Sequence, residues 1–211
     1  MITDTTEHPP FEWIGGRTCL DFSNTVTWAG PLRPNERLGR YGDLVEWAEK
    51  SEILDESAAR RLRRAARSDP AAATAAVAEA HALRDAIHEV IGARAGRREP
   101  TPGAAETLNR YLGRALGRLR LAVDGDACSW VFADQGDELD RMLWPVAWST
   151  ASLLTSADLA LVRVCASPQC GWLFLDRSRN RSRRWCDMKG CGNTAKARRH
   201  YARKRRSRPG G

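Results

Sequence analysis

The sequence predicts an α+β protein in two parts. The first is a mostly helical N-terminal domain with a small β-hairpin, and the second is a short C-terminal module organised by cysteines. Three observations predict this. Helix start signals and apolar spacing recur between residues 43 and 154, broken by one stretch of strict alternation. The charge divides sharply along the chain: residues 1–161 carry 19 Lys and Arg against 24 Asp and Glu, a net of −5, whereas residues 162–211 carry 15 against 2, a net of +13. Four of the six cysteines fall in two pairs of identical spacing within the basic part. The expected division is 1–160 for the helical domain, 161–206 for the cysteine module and 207–211 for a disordered tail.

The elements follow in order. "FEWI" (11–14) reads as a short strand closed by Gly15-Gly16, and "CLDFSNTV" (19–26) as a short helix or tight turn with Leu20 and Phe22 inward. Two prolines and two glycines make 29–40 a loop. Asp43 is placed as the N-cap of "LVEWAEKS" and Asp55 as that of "ESAARRLRRAAR". Pro70 suits the first turn of a long helix reaching Arg94, with Val77, Leu83, Ile87, Val90 and Ile91 along one apolar face. Thr101 and Pro102 form an N-cap and N1 pair for the next helix. "RLRLAV" (118–123), a "DGD" turn and "CSWVF" (128–132) make a hairpin. A helix over 137–154 is expected to kink or split at Pro145. "ALVRVC" and "WLFLD" (172–176) then read as strands entering and leaving the first cysteine pair.

Composition excludes some classes. Apolar residues make up 42% of the chain, enough for a core. No run of about 18 apolar residues exists to span a membrane. The start "MITDTTEHPPFEWIGG" lacks both a basic segment and an apolar core, so no secretory signal is read there. The expectation is a cytoplasmic protein, where thiols stay reduced and clustered cysteines bind metal rather than pair.

The cysteine pattern is C-x4-C, fifteen residues, then C-x4-C: Cys165, Cys170, Cys186 and Cys191. Four thiolates suit one tetrahedral Zn²⁺, and a shell filled by protein makes it structural rather than catalytic. Gly171, Gly190 and Gly192 allow the turns around such an ion. Asn193 is placed as the N-cap of a basic helix. A hairpin knuckle followed by a helix that starts at the second pair gives a treble-clef-like four-cysteine zinc finger.

The cations around this site are the candidate nucleic-acid surface. Arg177, Arg179, Arg181, Arg183 and Arg184 lie between the pairs, interleaved with Ser178, Asn180 and Ser182, and Lys189 and Asn193 flank the last ligand. Lys196, Arg199, Arg203 and Arg206 share one helix face, with Arg198 beside them. Ala197 and Tyr201 are expected to pack on the hairpin. Arginine forks suit phosphate and guanine edges, and short polar groups suit phosphate oxygens.

Over these residues the chain resembles a CGNR zinc finger protein: "CASPQCGWLFLDRSRNRSRRWCDMKGCGN" followed by "AKARRHYARKRR". The family signature Cys-Gly-Asn-Arg reads Cys191-Gly192-Asn193-Thr194 here, with Thr in place of Arg. "GGRTCLDFSNTV" (15–26) resembles the opening of the ABATE domain that accompanies this finger. The resemblance implies a bacterial, stress-linked regulator of transcription that binds double-stranded DNA and is not an enzyme. A small-molecule effector and a homodimer are compatible with it. RNA binding, and an enzyme or small-molecule-binding body with an accessory finger, are the alternatives.

Smaller signals remain. Asp21, Asn24 and Thr25 either line a ligand pocket or make turn and cap hydrogen bonds, the second being the commoner role of such residues. His81 and His88, seven apart on one helix face, either bind a ligand or take the commoner role of helix-surface or packing residues, and Trp144 and Trp148, at i and i+4, read as core packing rather than a cofactor box. Trp172 and Trp185 are expected to cover the metal, and Cys19 and Cys128 to be buried as small apolar groups. No phosphate-binding glycine loop, Ser/His/Asp set or carboxylate pair stands out.

Overall fold

The computed structural model describes residues 11–29, 35–133 and 136–206. The expected tail at 207–211 and part of the 29–40 loop lie outside them. Seven helices and two separate two-stranded antiparallel sheets are seen among the described residues.

Helix α1 (Thr18–Ser23) inserts Cys19, Leu20 and Phe22 fully into the core. Phe22 meets Trp47 edge-on at 4.9 Å. Burying each such side chain contributes about 1.5–3 kcal/mol, so this six-residue helix is held by packing rather than by propensity. Helix α2 (Tyr41–Lys50) starts differently from the sequence expectation. Its N-cap is Arg40, and Asp43 sits three residues on, its Oδ2 accepting from Arg40 N at 2.9 Å. The carboxylate reaches back to the first turn instead of leading it. Asp55 does cap α3 (Glu56–Ser68), accepting from Ala58 N at 2.7 Å.

Helix α4 (Pro70–Ala95) is the central post. Asp69 caps it, accepting from Ala72 N at 2.9 Å, and Pro70 takes the first turn. Ala80, Leu83, Ile87, Val90 and Ile91 face the core, while Val77 is half-buried. Helices α1, α2, α3, α5 (Pro102–Arg118) and α6 (Leu143–Leu154) all pack on it. Thr101 precedes Pro102 as expected but makes no side-chain cap bond. The helix expected over 137–154 begins only at Leu143. Pro145 therefore falls in the first turn, where its missing N–H costs no intrahelical bond, and no kink results.

Strands β1 (Leu119–Asp124) and β2 (Ala127–Phe132) pair with Leu121 opposite Trp130. This hairpin is exposed. Cys128, expected to be buried, lies on its open face, because a lone pair of strands leaves both faces to solvent. Trp144 is buried as expected, and Trp148 is half-buried beside Trp130.

A 3₁₀ turn (Ala157–Leu161) leads into β3 (Val162–Val164), which pairs with β4 (Leu173–Leu175). Residues 11–14 form no strand; the segment runs beside β4, where Leu175 N donates to Gly15 O at 2.9 Å. A π turn (Met188–Gly192) then opens into α7 (Asn193–Arg206). No helix among the described residues is long and apolar enough to cross a membrane.

Candidate metal centre and its cationic surface

The hairpin β3–β4 presents Cys165 and Cys170 on the turn between its strands. Cys186 follows the arm, and Cys191 lies in the π turn before α7. Their four Sγ atoms all lie within 4.8 Å of one another. Cys170 and Cys186 are 3.6 Å apart, and Cys186 and Cys191 3.8 Å. A tetrahedral ion with Zn–S bonds of about 2.3 Å requires sulfur separations of about 3.8 Å. The donor set therefore fits Zn²⁺ in number, type and spacing. Cys165, Cys170 and Cys186 are buried and Cys191 half-buried, with Trp172, Phe174, Trp28 and Trp185 packed around them. Trp172 and Trp185 thus sit where the sequence placed them.

Electrostatics agree with a cation at this point. Hydrogen bonds from Cys170 and Cys186 push the Cys165 thiol down. The Cys165 sulfur pushes Cys170 and Cys186 up, and burial pushes Cys191 up. So many thiolates cannot share so small a space unless a positive ion offsets their repulsion. Cys186 N also points at Cys165 Sγ, 3.5 Å away, as a donor to a thiolate would.

The first knuckle is clamped to the helical domain. Asn24, 2% exposed at the end of α1, donates from Nδ2 to Leu173 O at 2.8 Å and accepts from Leu173 N at 2.9 Å. Trp172 Nε1 donates to Val26 O at 2.7 Å, and Trp28 N to Cys170 O at 2.8 Å. His88 of α4 bonds Gly171 O at 3.0 Å and stacks on Trp28 at 3.9 Å. Burial holds its pKa below the usual imidazole range. Gly171 has φ +74, and a Cβ there would lie 2.9 Å from Trp28 Cβ, so glycine is required for both reasons. Behind this layer, Glu36 receives both terminal nitrogens of Arg84 at 2.7 Å, and the Arg84 guanidinium lies 5.9 Å from the Trp28 ring.

The pocket candidates make hydrogen bonds of the same kind. Asp21 Oδ1 accepts from Gly15 N at 2.8 Å, Thr25 Oγ1 donates to Phe22 O at 2.8 Å, and Asn24 is the clamp. Asp21, Asn24 and Thr25 thus make bonds within the fold, and none lines the described cavities. Burial raises the Asp21 carboxyl to about 6 despite the backbone donors.

The arm between the pairs closes on Asp176, which accepts from Ser178 N at 3.0 Å, Ser178 Oγ at 2.5 Å and Arg183 N at 2.9 Å. Burial would raise this carboxyl, but those donors outweigh it and hold it below the usual range. Arg183 turns inward: its Nε donates to Trp185 O at 2.9 Å, Nη2 donates to Cys186 O, and the guanidinium lies over Phe174 at 4.6 Å. It fastens the arm rather than pointing outward with its neighbours. Arg177 is tied to Asp158 at 2.9 Å, beside Arg17. Arg198 donates to Gln169 Oε1 at 2.7 Å. Arg179, Arg181, Arg184, Lys189, Asn193 and Lys196 are exposed. The side chains of Arg199 and Arg203 lie outside the described set.

Asn193 is not the cap of α7. Its backbone is already helical, and Asp187 leads the preceding π turn, accepting from Gly190 N at 2.6 Å. Bonds from that turn hold Asp187 below the usual carboxylate range. Thr194 donates to Gly190 O at 3.1 Å and closes the same turn. Ala197 is exposed rather than packed on the hairpin.

Sequence reasoning missed the braces Arg84, Trp28 and Asp176. Arg84 carried a signal: it falls in step with Ala80, Ile87 and Ile91 on the buried face of α4, where an arginine needs a partner.

A helical body with a four-thiolate module stapled to it defines a zinc-finger protein. The comparison with known families agrees. The model described as "Putative stress-induced transcription regulator", ABATE, matches residues 16–157, and the CGNR zinc finger matches residues 162–204. The chain belongs to the ABATE family and carries a CGNR zinc finger at its C-terminal end. No curated protein matches it.

Proposed function

We propose that this chain is a zinc-dependent transcription regulator of the cytoplasm that grips double-stranded DNA through the finger and α7, with its N-terminal domain sensing or dimerising. One observation carries the reading. The C-terminal part has only two carboxylates, Asp176 and Asp187, and both are engaged by local backbone donors. Nothing within the finger is left to neutralise Arg179, Arg181, Arg184, Lys189 and Lys196, which surround the metal in the open. Such a surface is suited to phosphate. Arg177 and Arg198 join it if duplex displaces their present partners. Arg183 supports it from behind, and Arg199 and Arg203, further along the α7 sequence, are the remaining proposed contacts. The ion fixes the scaffold and, with four sulfur ligands, leaves no open position for chemistry.

The test is salt dependence. Neutralising about six phosphates gives a slope of log affinity against log salt near −5. A slope near zero at constant pH, or tighter binding to single-stranded or folded RNA in competition, would overturn the proposal. Trp185 is half-buried under the arm, which speaks against an exposed base-stacking platform.

A further inference from the structure

We propose that the groove between α2, α3 and the first turns of α4 binds a small organic anion: an apolar body carrying a single carboxylate. The cavity measures about 720 Å³, within the range of roughly 300–1,000 Å³ usual for small-molecule sites. Its floor is apolar, with Ala73 buried and Ala66 and Val77 half-buried, and Pro70 lies exposed at its edge. Its lining also carries three cations: Arg40 at the start of α2, and Arg63 and Arg67 one turn apart on α3. This is unexpected in a region whose net charge is −5.

The charges set the ligand's valence. Arg40 leans on Asp43 at 3.3 Å, and Arg63 is paired with Glu49. Among the described residues no carboxylate is paired with Arg67. One guanidinium is therefore left over, beside two that are already partly neutralised. One carboxylate answers it in a bidentate fork. A bare phosphate would leave the floor uncovered, and a nucleic-acid backbone has no apolar face to lay on it. His81 closes one end of the cavity: its Nε2 bonds Leu38 O at 2.9 Å and stands 3.6 Å from Glu36. Glu36 in turn holds Arg84 against Trp28, so the wall of this cavity is continuous with the brace on the first zinc knuckle.

The inference deepens the sensing part of the proposed function and rests on that reading for its purpose, but not for its test. Calorimetric titration of the full zinc-loaded chain with 2-naphthoate, its neutral isostere 2-naphthamide and inorganic phosphate reads ligand binding alone. Failure of duplex binding would be a separate result. One-to-one binding of 2-naphthoate is expected, at least tenfold tighter than either control. Arg67→Glu should cut naphthoate affinity tenfold or more and leave naphthamide unchanged. Arg67→Lys, which keeps the charge but not the fork, should fall between wild type and Arg67→Glu. Thr74→Trp, an exposed position on the cavity wall, should block both naphthalenes with the circular dichroism spectrum unaltered. Absence of one-to-one naphthoate binding at millimolar concentration, equal binding of acid and amide, equally tight phosphate, or indifference to Arg67→Glu would each overturn the proposal.

Discussion

The two knuckles of the finger share a spacing and differ in everything around them. Cys165 and Cys170 sit on a hairpin whose strands are buried against α1 and α4, with Asn24, Trp28 and His88 bonded to its backbone and Val26 O accepting from the Trp172 indole. Cys186 and Cys191 sit on an arm and a π turn braced largely by local bonds through Asp176, Arg183 and Asp187, with a few longer ties: Arg184 O accepts from Ala166 N at 2.8 Å, Arg177 pairs with Asp158 and Arg198 of α7 reaches Gln169. One knuckle is therefore an extension of the helical core, and the other is held mainly through the sulfur cluster. The cations lie on the second. A rigid body presenting a cationic surface through a metal joint is the arrangement this difference implies.

Removing the joint should have the largest effect. With Cys186→Ser, or after treatment with a strong chelator, the zinc-to-protein ratio should fall from one to zero, and the arm and α7 should lose their fixed position. Structural zinc in small fingers is worth about 10–16 kcal/mol apparent, well beyond what the local turns can replace. Duplex binding should become undetectable in a mobility-shift titration. The helical body has its own core, so most of its far-UV dichroism should survive. Collapse of the whole spectrum would mean that the first knuckle is as dependent on the ion as the second.

The clamp comes next. Asn24→Ala leaves the N–H and C=O of Leu173 buried without partners, at about 1–3 kcal/mol each. Urea denaturation should show a loss of about 2–4 kcal/mol. Zinc should stay bound, because no ligand has changed. A loss below about 0.5 kcal/mol would mean that water replaces the clamp and that the knuckle is less firmly built into the body than its contacts indicate.

One carboxylate from each region, Asp21 and Asp176, titrates with opposite sign. Asp21 in the body has a folded pKa near 6, above the unfolded value of about 3.9. The folded state therefore keeps a proton that the unfolded chain releases, and the stabilisation is lost as pH rises from about 4 through 6. Asp176 in the finger is held low, so its contribution is present at neutral pH and lost in acid, as pH falls below the usual carboxylate range. Asp21→Asn should flatten the decline between pH 4 and 6 and raise stability at pH 7 by about 1–2 kcal/mol. Asp176→Asn should destabilise at pH 7. Equal pH profiles for wild type and Asp21→Asn would show that the Asp21 carboxylate is better solvated than its burial implies.

Much of this was legible because it depends on local chemistry. The ligands announce themselves by spacing, Asp55 and Pro70 by their place before a helical run, and the β1–β2 hairpin by alternation around "DGD". What was not legible depends on partners distant in sequence. Asn24 looks like any turn asparagine until Leu173 arrives beside it, 149 residues later. Arg183 reads as one more cation in a run, and only the carbonyls of Trp185 and Cys186 and the ring of Phe174 turn it inward. Cys128 reads as a buried thiol because its apolar neighbours suggest a covered sheet, yet among the described residues no third strand joins β1 and β2. Pro145 reads as a kink because the start of α6 carries no strong cap to show that the helix begins two residues before it.

The smallest effect falls on the open knuckle alone. Thr194 stands where the family signature has Arg, on the exposed first turn of α7, and its hydroxyl bonds Gly190 O. Thr194→Arg would remove that bond, worth about 0.5–1.5 kcal/mol, and add one cation beside Lys189 and Lys196. Zinc stoichiometry should not change. Duplex affinity should rise a few-fold at low salt, and the slope of log affinity against log salt should steepen by about one. The clamp residues are remote from position 194, so urea stability of the body should stay as it was. An unchanged slope would place this turn off the phosphate track and shift the binding surface toward the arm at Arg179, Arg181 and Arg184.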